Sequence, residues 1–391
     1  MFQREFTEEQ NMFREAYRQF LAQEIVPHME CWREQGVVDR AAFTKAGERG
    51  FLMTWVNEEY GGLVGDADFR FEQIVIEEQA YARCADSFAT LHSRTVGVYL
   101  GRFGSEEQKM HYLPKCVAGE TILGIAMTEP DAGSDLKGMR STAVEYEDHW
   151  LLNGSKTYIS NGINGDLFVV AAKSDPDNAR AISLFLVEAK WEGFKRGRNL
   201  KKMGSKAQDT AELFFNDVKV PKKNVLGEAH KGMHYLMESL AEERLIGACC
   251  YLSAAQLSFD LALEFVQERK AFGQRISDFQ NTQFKLAELR TDLDVAQVFI
   301  DRCVVAHNGG DLTATQAAEA KLMSSELQVK AAQLGVQLHG GAGYMDEYPI
   351  SRQLTDAMIS PIYAGSSEIM KMLISRSFLS ADYQPFNTRN F

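Results

Sequence analysis

The chain has 391 residues, 45% hydrophobic and 25% charged, which fits a folded protein of two or three packed parts and excludes a disordered one. Its 42 basic and 54 acidic side chains leave a formal charge of −12. That balance argues against nucleic acid or an anionic membrane as partner, though a local basic site could still hold a small anion.

The first ten residues, Met-Phe-Gln-Arg-Glu-Phe-Thr-Glu-Glu-Gln, are acidic and lack an apolar core, so no signal or transit peptide is expected. No uncharged apolar run approaches the roughly 20 residues of a membrane-spanning helix, so no membrane insertion is expected. The six cysteines show no C-x-x-C spacing, and Cys249-Cys250 lie in a helical apolar stretch. Free thiols in a reducing compartment follow, with no metal site. The expectation is an internal, soluble protein, cytoplasmic or, in a eukaryote, of the mitochondrial matrix.

Residues 5–122 read mainly as helices. Thr7 with Gln10 forms a candidate capping box ahead of Phe13, Tyr17, Phe20 and Leu21, which share one helical face. Gly36 is a candidate stop, Glu59-Tyr60-Gly61-Gly62 a loop, and Ser105-Glu-Glu-Gln a second helix start. After residue 122 the pattern turns to short β-type runs: Leu167–Ala172, Ile182–Val187 and Ala211–Phe215. Asn153-Gly154 reads as a hairpin turn between strand-like segments. From residue 233 helical periodicity returns. Leu286, Leu289, Leu293, Ala296, Phe299 or Ile300, Cys303 and His307 make a core stripe, on which His307 reads as a satisfied structural histidine. A further long helix, 315–339, ends at Gly340-Gly341. The reading is α+β in three parts, residues 1–122, 123–232 and 233–391.

Residues 126–135, Ala-Met-Thr-Glu-Pro-Asp-Ala-Gly-Ser-Asp, carry the clearest chemical signal. Pro130 and Gly133 break regular structure and admit a ligand close to the backbone, while Thr128 and Ser134 offer hydroxyls. Taken alone, such a cluster also fits an ordinary turn. The run resembles the flavin and thioester loop of the acyl-CoA dehydrogenases, and the resemblance extends in order along nearly the whole chain. Tyr158-Ile159-Ser160-Asn161-Gly162 is similar to the family's strand against the isoalloxazine ring, where many members carry Trp in place of Tyr158. Arg269-Lys-Ala-Phe-Gly-Gln and Gln280 resemble the segment that reaches a neighbouring subunit's FAD. Gln337, Gly340-Gly341-x-Gly343-Tyr344, Glu347, Arg352 and Asp356 match a second signature.

The resemblance implies an N-terminal helical domain, a middle β-domain of small barrel-like sheets and a C-terminal four-helix bundle. It implies FAD as cofactor, with Met127, Thr128, Ser134, Tyr158, Ile159, Ser160, Ser366 and Glu368 lining it from one subunit. Arg269, Phe272, Gln280, Gln337, Gly340 and Gly341 would line it from the neighbour. A homotetramer built as a dimer of dimers follows, with an electron-transfer flavoprotein as electron acceptor.

Many members place their catalytic glutamate in a Tyr-Glu-Gly-Thr run, but Ile362-Tyr363-Ala364-Gly365-Ser366 puts Ala364 there, which cannot take a proton. The long-chain and isovaleryl branches carry the base on another helix, in a Glu-Arg-Leu run. Glu243-Arg244-Leu245 matches that run, whereas Glu242 points about 100° around the helix. Glu243 is therefore the expected base, with Ser134, Arg244, Ala364 and Gly365 on the substrate. The implied reaction is oxidation of a saturated medium, long or branched acyl-CoA to the trans-2-enoyl-CoA. An acyl-CoA oxidase and a catalytically silent flavin or acyl-CoA binder are the alternatives.

Overall fold

The computed structural model describes residues 4–379, apart from 64, 66, 67, 88, 176 and 179. The described backbone separates into two compact units, one within residues 6–239 and a second from residue 240 onward together with residues 4 and 5.

The first unit begins with six helices: α1 (Glu8–Phe20), α2 (Met29–Gln35), α3 (Arg40–Glu48), α4 (Arg70–Tyr81), α5 (Gly97–Phe103) and α6 (Glu106–Val117). Reciprocal capping boxes start α1 and α6, Thr7 with Gln10 and Ser105 with Gln108, as their spacing predicts. Gly36 closes α2 in the left-handed region at φ 76°. Tyr17, Phe20 and Leu21 bury the expected face of α1 against Trp32, Phe43 and Phe51.

Eight strands follow: β1 (Leu123–Ala126), β2 (Thr142–Glu145), β3 (His149–Ser160), β4 (Leu167–Lys173), β5 (Ile182–Glu188), β6 (Phe194–Asn199), β7 (Thr210–Pro221) and β8 (Val225–Leu226). They share one hydrogen-bonded sheet in the order β6-β7-β3-β2-β4-β5-β8, with β1 parallel to β4. Trp150, Leu152, Phe168, Phe185 and Phe215 fill its core.

The Asn153-Gly154 hairpin is not formed. Both residues lie inside β3, and the β2–β3 reversal falls at Tyr146–His149, where the Tyr146 N–H donates to the His149 carbonyl at 2.8 Å. The Asn153 side chain instead bridges to β7, donating to Asp217 Oδ1 at 2.9 Å and accepting from the Asp217 N–H at 2.8 Å. Gly154 has φ 142°, and a Cβ there would collide with Ser141. Close packing on Ser141, just before β2, rather than a turn, requires this glycine.

A histidine ties helix to sheet within this unit. His92 is fully buried, its Nδ1 accepting from the Leu123 N–H at 3.1 Å while Nε2 lies 3.0 Å from the Cys116 carbonyl. With Nδ1 accepting, Nε2 carries the proton and donates, so the ring is neutral. Burial pushes its pKa down to about 4.

The second unit is helical: α7 (Gly232–Glu268, which enters it at Leu240), α8 (Gln280–Asn308), α9 (Ala314–His339), α10 (Pro349–Ala357) and α11 (Ser367–Phe378), with a short ribbon of β9 (Lys270–Ala271) and β10 (Gln274–Arg275). The core stripe on α8 is buried from Leu286 to Cys303, with Ile300 rather than Phe299 at the ambiguous position, while His307 at its end is half-buried. By length and apolarity α7 could cross a membrane, but 78% of its apolar window is buried inside the fold, as in a core helix. All six cysteines are free thiols.

Candidate active site

Within the first unit, the candidate ligand-facing residues sit on two adjacent segments. Met127 and Thr128 open the loop after β1 and are half-buried, while Ser134 is exposed. Tyr158, Ile159 and Ser160 end β3. The segments are joined where the Thr157 N–H donates to the Thr128 carbonyl at 2.9 Å. The β3–β7 ladder shifts register between Lys156 and Ile159, and Tyr158 at this bulge has φ 60°, in the left-handed region that bulky residues avoid. The bulge turns the Tyr158 side chain out of the sheet, 69% exposed, while Ile159 is buried. Asn161 follows at φ 56°, its Nδ2 donating to the Leu123 carbonyl at 2.9 Å.

Two charged residues that the sequence reading passed over lie beneath this surface. Lys156 donates from Nζ to Glu129 Oε1 at 2.7 Å and to the Met127 carbonyl at 3.1 Å. Glu129 also accepts from the Ser141 N–H at 3.0 Å and from the Arg140 N–H. Burial pushes Glu129 up, but these hydrogen bonds outweigh it and hold the carboxylate below its ordinary pKa. Burial also lowers Lys156, against the pull of Glu129. A sequence signal existed: counting in twos from buried Trp150 and Leu152 reaches Lys156 on the core face.

In the second unit the adjacent glutamates of α7 have different surroundings. Glu242 is buried, its Oε1 3.6 Å from His307 Nε2 on α8. Glu243 is half-buried. Arg244 is buried; desolvation lowers its pKa, while the Glu243 charge opposes that shift. Its Nε finds no hydrogen-bond partner among the described residues, a donor suited to a ligand oxygen.

The helix carrying Glu243 meets the segment carrying Ala364 two turns further on, where the Tyr251 and Tyr363 rings lie 5.8 Å apart. Lys321 of α9, fully buried, donates to the Ser360 carbonyl at 2.8 Å and lies 5.9 Å from the Tyr251 ring centre. Burial first, then nearby Arg244, pushes its pKa down to about 8. Ala364 has φ 53° and Gly365 φ 94°, a left-handed pair that turns the chain into α11. Ser366 caps that helix, accepting from the Ile369 N–H, and Glu368 lies in its exposed first turn, its pKa lowered by backbone hydrogen bonding.

Arg269, Phe272, Gln280, Gln337, Gly340 and Gly341 gather at the opposite end of α7. The Ile276 N–H bonds the Arg269 carbonyl at 2.9 Å, closing the β9–β10 ribbon, and Phe265 stacks on His339 at 4.1 Å beside Gly340. Arg269, Gln280, Gln337, Gly340 and Gly341 are exposed, and Phe272 is 96% exposed. A Cβ added at Gly340 or Gly341 would meet open space, although Gly340 at φ 60° is held to glycine by its own backbone. An open cradle of glycines and an arginine suits a pyrophosphate-bearing cofactor. From Glu243 to Glu268 the helix spans about 38 Å, at ~1.5 Å per residue. Glu243 and the Arg269 group thus stand at opposite ends of a long, continuous helix.

The sequence matches the family profiles described as acyl-CoA dehydrogenase N-terminal domain over residues 7–120, middle domain over 124–218 and C-terminal domain over 230–379. It is 46% identical over 377 residues to the mitochondrial long-chain specific acyl-CoA dehydrogenase of Sus scrofa, covering 96% of this chain and 87% of that protein. The fold superposes on an acyl-CoA dehydrogenase from Geobacillus kaustophilus with TM-score 0.93 and 47% identity, covering 95% of this chain and 98% of that one. An acyl-CoA dehydrogenase of Bacillus anthracis complexed with FAD superposes with TM-score 0.89 at 30% identity, covering 96% of this chain and 67% of that one.

Proposed function

This chain belongs to the acyl-CoA dehydrogenase family of flavoprotein oxidoreductases, and from that premise we propose that it converts a saturated medium-to-long or branched acyl-CoA to the trans-2-enoyl-CoA, with Glu243 as base. The observation that carries the assignment is the different environment of the two glutamates. Glu242 is buried against His307, whereas Glu243 is half-buried beside Arg244, on the helix that reaches the Ala364 turn.

FAD, when bound, accepts the hydride from the substrate's β-carbon. The chain does the rest. Glu243 removes the α-proton as a positioned general base. The Ala364 N–H donates to the thioester oxygen as negative charge develops there, a role that needs no side chain. Arg244 orders the substrate end of the cleft, Gly365 lets the thioester approach, and Ser134 contacts the CoA arm. Met127, Thr128, Tyr158, Ile159 and Ser160 would hold the flavin, the exposed Tyr158 ring offering it a packing face, and Ser366 and Glu368 would also serve FAD.

Arg269, Phe272, Gln280, Gln337, Gly340 and Gly341 serve the FAD of a second subunit. The length of α7 between the two groups supports a dimer that shares its cofactors, assembled as a dimer of dimers. Electrons leave to an electron-transfer flavoprotein.

Anaerobic titration of wild type and Glu243→Gln with acyl-CoAs of increasing length tests the reading. Bleaching of the flavin in wild type alone supports Glu243, and the chain that bleaches it most readily identifies the substrate class. Equal bleaching in both removes Glu243 from the reaction. No bleaching with any chain, despite bound FAD, replaces the dehydrogenase by a silent binder.

A further inference from the structure

Lys156 and Glu129 form an ion pair withdrawn from water, their side chains 0% and 4% exposed and 2.7 Å apart. Replacing a buried pair of this kind with well-packed apolar residues is often neutral for stability, so stability alone gives little reason to keep it. Its bonds, with that of adjacent Thr157, hold neighbouring segments together. Lys156 fixes the Met127 carbonyl, Thr157 fixes the Thr128 carbonyl, and Glu129 fixes the N–H groups of Arg140 and Ser141. Three successive residues of the loop are thereby tied to the strand immediately before Tyr158.

We propose that Lys156 and Glu129 are positioning residues, a buried clamp that holds the Met127–Thr128 loop and the strained Tyr158 as one flavin-facing surface. The inference rests on the flavin reading given above. Unperturbed alternation along β3 would carry Lys156 inward, Thr157 outward and Tyr158 inward again. The bulge reverses this, so that Tyr158 faces out and Ile159 faces in. A left-handed aromatic residue persists only where its surroundings over-determine it. On the N-terminal side those surroundings are the ties at Lys156 and Thr157. On the C-terminal side Ile159 rejoins β7 opposite Ala211. Neither clamp residue touches the substrate; both act through the residues they hold.

The test compares wild-type holoenzyme with the neutral, near-isosteric double variant Lys156→Met/Glu129→Gln. Tyr158→Ala is made in both backgrounds. The double variant is expected to unfold near the wild-type temperature, to show altered visible circular dichroism of the bound flavin, and to lose on the order of tenfold in kcat with little change in KM. Tyr158→Ala alone reproduces the spectral change and adds little to it in the double variant, because both act on one surface. Glu129→Gln alone leaves the buried Lys156 ammonium without a counter-charge and is the less stable variant, so the double variant is the one that tests the clamp. A folded double variant with wild-type flavin dichroism and kcat overturns the clamp, as does full additivity with Tyr158→Ala. Wild-type protein that takes up no FAD overturns the parent reading and this proposal with it, so the two failures are distinguishable.

Discussion

Glu242 Oε1 lies 3.6 Å from His307 Nε2, with the glutamate side chain 3% exposed and the histidine 17%. This contact explains why two successive glutamates need not compete for one task. Glu242 faces α8 and packs two helices together, while its neighbour points about 100° away around the helix.

The pair predicts opposite phenotypes. Glu243→Gln should lower kcat by about 10²- to 10⁴-fold, the usual worth of a positioned base, with stability nearly unchanged. Glu242→Gln should keep flavin bleaching by substrate and lose about 1 kcal/mol of stability. Stopped-flow reduction of the flavin together with thermal melts separates the two, and a catalytic collapse in Glu242→Gln would reverse their roles.

His92 predicts an acid limb in the stability profile. Burial holds the folded pKa at about 4, below the ordinary 6.5, so the unfolded chain binds the proton more readily. The stability conferred by the neutral ring is fully present above pH 6.5 and is lost progressively as pH falls toward 4, by about 3 kcal/mol in all. Denaturant midpoints measured across that window should fall less steeply in His92→Gln, which cannot titrate there and starts from a lower plateau.

Ala364 is held at φ 53°, where glycine is the relaxed residue. Ala364→Gly should leave stability unchanged or raise it by about 1 kcal/mol, while Ala364→Val should lower it by about 2 kcal/mol. Turnover should survive the glycine change, since the proposed donor is the main-chain N–H. Calorimetry with steady-state kinetics checks both halves.

Arg269 is exposed, so Arg269→Ala should leave the melting of the apoprotein within about 0.5 kcal/mol of wild type. If Arg269 holds the pyrophosphate as proposed, FAD should nevertheless dissociate on the order of tenfold faster through loss of one charge-assisted contact. Flavin retained through repeated ultrafiltration measures the effect, and unchanged retention would remove Arg269 from the cofactor site.

Much of the architecture was legible in the sequence because its signals are local. Thr7 with Gln10 and Ser105 with Gln108 are three residues apart, and the α8 stripe from Leu286 to Cys303 repeats at helical spacing. What escaped was set by distant partners. Asn153-Gly154 has hairpin chemistry, but its surroundings are set by Asp217 on β7 and by Ser141 just before β2. Lys156 and Glu129 are 27 residues apart in sequence and meet only once the loop folds onto β3. The bulge at Tyr158 likewise has no signature in composition, since the sequence there reads as unbroken strand. The Glu-Arg-Leu run singled out Glu243 over Glu242, but the burial of Glu242 against His307 required the packed α8.

The 37-residue helix α7 fixes a separation and also a rotational phase. Adding one residue between Glu243 and Arg269 would advance one end by ~1.5 Å and twist it by about 100° relative to the other. Length variation among related chains should therefore avoid this rod and collect in connections such as Gly309–Thr313, where an insertion turns nothing. Should a functional variant with an altered rod exist, it should carry a compensating π-turn that absorbs the extra residue and restores the phase.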